Sequence, residues 1–178
     1  MYWKSAGVTH TEKTVELAVV KAKEYGISSI VVASCTGQTA ALVAGKAGNI
    51  VCVTHVDGFD KPGMNEMAQD IRDKLTIQNV KLLTTTHVLS GAERAISRKF
   101  GGVYPIEIMA HTLRMFGQGV KVCVEIAVMA LDAGLIPYGE DIIAIGGTGK
   151  GADTAVVIRP AYAANILDTH IAEIICKP

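Results

Sequence analysis

Two short runs limit what this chain can fold into. Ile30-Val-Val-Ala33 and Ile50-Val-Cys-Val53 are unbroken apolar, largely β-branched stretches with no charged residue on either face. A strand with one face in water alternates apolar and polar residues; a run without alternation must be covered on both sides. Helical patterns surround the two runs. Val15, Ala18, Val19 and Ala22 recur at helical spacing, with Thr9 and Glu12 as a capping box and Tyr25-Gly26 as a stop. Thr39 to Lys46 reads as a second helix, ended by Gly48-Asn49. Helix, strand, helix, strand at this rhythm predicts a three-layer α/β/α fold around a mostly parallel open sheet.

Further along, Met64, Met67, Ala68, Ile71 and Leu75 make a helical stripe, and Val80 to Thr84 a third strand. Ser90 and Glu93 predict a capped helix over 91–99, and Pro105 opens another that runs to about Phe116. Gly119 to Leu131 alternates like a strand, but its length and the Lys121–Glu125 spacing favour a buried helix, stopped by Gly134 and Pro137. Asp141 to Ile145, Thr154 to Ile158 and Ile171 to Cys176 read as three more strands. No linker separates two units, so the 178 residues are expected to form a single domain with an elaborated helical region over about 56–137.

Seventeen basic residues balance seventeen acidic ones, which argues against a nucleic-acid partner, since phosphate-backbone affinity needs clustered positive charge. No run is long and uncharged enough to span a bilayer, and the first residues do not read as a secretory signal. Cys35, Cys52, Cys123 and Cys176 form no C-x-x-C pair. The expectation is a cytoplasmic protein with reduced thiols and no membrane partner.

The chemistry is concentrated in two loops. Beyond the first strand come Ser34, Cys35, Thr36, Gly37, Gln38 and Thr39. Ligands of open α/β sheets bind beyond the carboxyl ends of strands, where a helix start offers free amides. Three hydroxyls and a turn glycine there suit a phosphate clamp; the plainer alternative is that Thr36 or Thr39 simply caps the helix. The second loop is Gly146, Gly147, Thr148, Gly149, Lys150 and Gly151, with Thr154 just beyond. It is not a Walker A loop, because Ala144 occupies the first glycine position and a strand follows. It reads either as a glycine-rich hairpin or as a loop that lets a ligand approach its backbone.

Other groups carry weaker signals. His55 follows the second strand on the same sheet edge. His87, Ser90, Glu93 and Arg94 form a polar cluster, with Arg94 suited to phosphate. Glu107 and His111 stand one helical turn apart, too few for a metal site.

At its two loops the chain resembles a known family. Residues from about 12 to 55, with VVASCTGQTAALVAGKAGNIVCVT, resemble the carboxy-terminal α/β domain of pyruvate kinase, and Gly139 to Pro160 resembles that domain's later strand–glycine loop–strand unit. Gln38 departs from the basic residue common in the kinase turn. Residues 56 to 137 look instead like stand-alone relatives of that domain. The resemblance implies that Ser34, Thr36, Gly37 and Thr39 hold a phosphate, and that Gly147, Gly149, Lys150, Gly151 and Thr154 belong to a second effector loop. It implies flavin mononucleotide (FMN) as the ligand in the same cleft, with flavin redox chemistry open. It does not imply kinase activity, which belongs to a barrel of about 250 residues. The alternative is a non-catalytic module sensing a sugar phosphate or nucleotide. A homo-oligomer is left open.

Overall fold

The computed structural model describes residues 1–178. The chain order is α1 (Thr11–Tyr25), β1 (Ser29–Ala33), α2 (Gln38–Val43), β2 (Asn49–Val53), α3 (Gln69–Ile77), β3 (Val80–Leu83), α4 (Glu93–Phe100), α5 (Pro105–Arg114), α6 (Gln118–Asp132), β4 (Ile142–Gly146), β5 (Thr154–Arg159) and β6 (His170–Cys176). The strands form one sheet in the order β3-β2-β1-β4-β5-β6. β1 to β4 run parallel; β5 and β6 return antiparallel. The fold is therefore the α/β class that the apolar runs predict.

Side-chain alternation along the central strands divides the core in two. Ile30 and Val32 of β1, with Ile50, Cys52, Ile143 and Ile145, face α1, α2 and α3. Val31, with Val51, Ala144 and Val156, faces α6. Burying each such Val or Ile contributes about 1.5–3 kcal/mol, so both layers are needed to stabilise the sheet. α6 is buried along nearly its whole length, which explains the missing polar face that made its sequence ambiguous.

Local chemistry sets several ends differently from the sequence patterns. α1 is capped not by Thr9 but by a short 3-10 turn, Val8–His10, and the Thr11 hydroxyl donates to Val8 O at 2.7 Å. Gly26, at φ 65°, stops α1 as expected. α3 starts at Gln69, because Met64 to Ala68 is loop. Ser90 and Glu93 do not cap α4, whose start carries no side-chain cap. The Glu93 carboxylate instead accepts from Ile106 N (3.3 Å) and Glu107 N (3.1 Å), the first free amides of α5. No helix is long and apolar enough to cross a membrane.

Candidate functional site

Strand order creates a natural site. β2 lies on one side of β1 and β4 on the other, so the chain leaves β1 and β4 in different directions at their carboxyl ends. The loops after β1 and β4 are the two that the sequence singles out.

In the first loop, Ser34 N donates to Val53 O at 3.0 Å, prolonging the ladder by one residue. Gly37 then turns the chain at φ 86° and caps α2. A Cβ at Gly37 would meet Ile71 Cγ2 at 2.5 Å, so α3 packs tightly over this turn. No side chain caps α2, which removes the reading of Thr36 or Thr39 as a simple capping residue. The first intrahelical acceptor is Gly37 O, reached by Ala41 N at 2.9 Å; the amides of Gln38, Thr39 and Ala40 have no acceptor within α2. Ser34 and Thr39 are buried, Thr36 and Gln38 exposed.

The second loop closes the antiparallel hairpin between β4 and β5, with Gly146 opposite Thr154. Gly149 and Gly151 adopt left-handed conformations, φ 76° and 73°. The loop is pinned against the start of α1: Gly151 lies against Val8 and Thr11, and Ala152 N donates to Thr11 Oγ1 at 3.0 Å. Thr148 is half-buried and Lys150 exposed. Thr154 sits in the core, where its hydroxyl donates to Asp153 Oδ1 at 2.8 Å. Asp153 is itself fully buried and accepts from Gly7 N at 3.1 Å through Oδ2. The hairpin thus carries its own carboxylate beneath the glycines.

A cleft of about 180 Å³ opens at the same sheet edge, between the ends of β1 and β2 and the wall formed by α4 to α6. Cys35, His55, His87, Arg94, Arg114 and Lys121 line it. The cleft brings Cys35 and His55 together with the His87–Arg94 cluster. The glycine loop lies at the same edge but not on these walls, and Glu93 is occupied with α5. Glu107 accepts from Ser97 Oγ at 2.8 Å, apart from any convergent set of metal donors.

The cleft holds two arginines and one lysine–glutamate pair. Lys121 is paired with Glu125 at 2.5 Å, and Glu125 Oε1 accepts from Leu89 N at 3.0 Å. Arg114 donates through Nε to the neutral Gln118 side chain at 2.7 Å. Neither Arg94 nor Arg114 joins an ion pair. Burial lowers the His87 pKa below its ordinary value, keeping the imidazole neutral. Burial first, and the Glu66 charge second, push the Cys35 thiol up to about 11. Phe59 stacks on His55 at 3.8 Å between ring centres.

Sequence reasoning missed Glu66, Arg114 and the role of the Lys121–Glu125 pair. The pair left one signal: two charges inside an otherwise apolar helix, which must satisfy each other when buried. Glu66 left none, because its proximity to Cys35 depends on how the loop after β2 folds back.

Two comparisons bear on this chain. The family model described as "Pyruvate kinase, alpha/beta domain" matches residues 12–158. Among solved structures, Cryptosporidium parvum pyruvate kinase in complex with ADP aligns with 87% of this chain and 24% of its own length, at 18% identity and TM-score 0.42. The chain therefore spans about a quarter of that protein.

Proposed function

Since the chain belongs to the pyruvate kinase alpha/beta domain family, we propose that it binds a small phosphorylated molecule at the carboxyl edge of its sheet. One observation carries this reading: two arginines, Arg94 and Arg114, line one edge cleft without a carboxylate partner. Guanidinium groups match phosphate oxygens in both charge and geometry. The turn Ser34–Thr39 begins beside the cleft at Cys35 and adds free amides and hydroxyls to the same edge.

FMN is the ligand suggested by the resemblance to stand-alone relatives. Its ring would need an apolar surface beyond the phosphate, and the Phe59 face over His55 supplies one. The cleft volume favours a second reading. At about 180 Å³ it is smaller than the roughly 300–1,000 Å³ typical of sites for larger ligands, and it suits a phosphosugar-sized effector. In that case the domain is a sensor rather than a flavoprotein.

Titration separates the two. Flavin fluorescence quenched on addition of the protein supports FMN; a melting shift with sugar phosphates alone supports the sensor. In either case Arg94→Ala or Arg114→Ala should weaken binding about 10- to 100-fold, the loss of one charge-assisted hydrogen bond. Thr39→Val reports on the turn. If neither FMN nor a sugar phosphate at millimolar concentration shifts the melting temperature, the reading fails.

A further inference from the structure

Three metal-ligating groups from different parts of the chain meet at the rim of the cleft. Cys35 comes from the end of β1, His55 from the end of β2 and Glu66 from the loop leading to α3. The His55 Nδ1 and Glu66 Oε2 atoms are 2.5 Å apart, with the two side chains 33% and 27% exposed. The Cys35 sulfur joins them: all three donor atoms lie within 4.8 Å of one another. We propose that Cys35, His55 and Glu66 bind a divalent metal ion of the zinc class, with the fourth coordination position open to the cleft.

The donor chemistry selects the ion. A thiolate with an imidazole suits zinc and its borderline-soft neighbours, whereas magnesium and calcium take oxygen donors. Bonds of about 2.0–2.3 Å in a tetrahedral site place adjacent donor atoms about 3.3–3.7 Å apart. The cluster reaches that geometry if the His55–Glu66 pair opens by about 1 Å around the ion and the sulfur closes by a similar amount. Supporting contacts hold the ligands in place. Phe59 stacks on the His55 ring, with His87 at 5.5 Å between ring centres. Asn65, next to Glu66, donates to Asp57 Oδ1 at 2.6 Å and accepts from Met67 N at 2.9 Å. Met67 is buried. The carboxylate is thus bracketed by anchored residues.

A nucleophilic relay is the competing use of Cys, His and Glu. It needs the imidazole between its partners, one ring nitrogen for each. Here the thiol and carboxylate gather at one point.

Cobalt(II) provides the test, independently of any phosphate ligand. The full chain, stripped with chelator, is titrated with Co2+ and followed by absorbance. One equivalent should bind, with a thiolate-to-cobalt charge-transfer band and the intense visible bands of tetrahedral cobalt; Zn2+ should displace it. Cys35→Ser should abolish the charge-transfer band, and Glu66→Gln and His55→Ala should each weaken binding at least about tenfold. Circular dichroism checks that each variant is folded, and Glu66→Gln alters a partly exposed side chain that leaves the core intact. No charge-transfer band in the parent chain, or one that persists in Cys35→Ser, overturns the site. So does Mg2+ binding of equal strength.

Discussion

At the scale of residues, the cleft depends on a charge pair that is costly to bury. Lys121 and Glu125 are 6% and 4% exposed, and only their mutual bond and the Leu89 amide satisfy them. Removing one member of a buried pair strands the other, whereas replacing both by apolar groups is often tolerated. Lys121→Met should cost about 3–5 kcal/mol in urea unfolding, and adding Glu125→Gln, which removes the stranded charge but keeps an acceptor for the Leu89 amide, should recover part of the loss. A single-variant cost below about 1 kcal/mol would mean that water reaches the pair. The glycines show what single residues leave unannounced. A Cβ on Gly119 would run into Thr154 and Asp153, and one on Gly146 would meet Gly119 O at 2.8 Å. Gly119 lies far along the chain from both Thr154 and Gly146, so nothing local in the sequence marks this close approach of α6 to the β4–β5 hairpin.

At the scale of elements, the strands were legible because β-branched runs without alternation permit few other structures. The helix starts were less legible. Met67 fits a helical stripe, yet it is buried from a loop because it packs over Gly37. Ser90 and Glu93 match the spacing of a capping box, but Glu93 caps the following helix, whose first residue, Pro105, offers no amide of its own. Local spacing cannot choose between two nearby helix starts when tertiary folding brings both within reach. Both candidate loops were legible for the same reason as the strands: each follows an unmistakable strand end. The Arg94 wall was partly so, and Arg114 was not, because its place depends on the turn from α5 into α6. Glu93 therefore links a cap to the cleft. Glu93→Ala should cost about 0.5–2 kcal/mol, speed amide exchange in α5 and weaken anion binding through the displaced Arg114. Unchanged exchange over Pro105–Arg114 would show that α5 is held by packing alone.

At the scale of the whole molecule, the two chain ends and the glycine hairpin are stitched into one structure. Trp3 N donates to Lys177 O at 2.8 Å and Lys177 N to Met1 O at 3.2 Å, so the first residues pair with the chain just past the C-terminal end of β6. The Trp3 indole reaches inward, donating to Asp153 O at 2.7 Å and stacking on His10 at 4.6 Å. Asp153 holds Gly7 and Thr154, and Thr11 holds Ala152. The only tryptophan in the sequence thus reports on the hairpin, the N-terminal segment and the residues just past β6 together. If these parts share one cooperative core, Trp3 fluorescence and far-ultraviolet circular dichroism should trace the same urea transition, with equal midpoints and slopes. An earlier fluorescence midpoint would mean that the hairpin and the N-terminal segment detach before the sheet unfolds. The glycine loop would then be a mobile part of the sheet edge rather than a fixed one. Coincident curves would assign it, with the N-terminal segment, to the rigid scaffold of that edge.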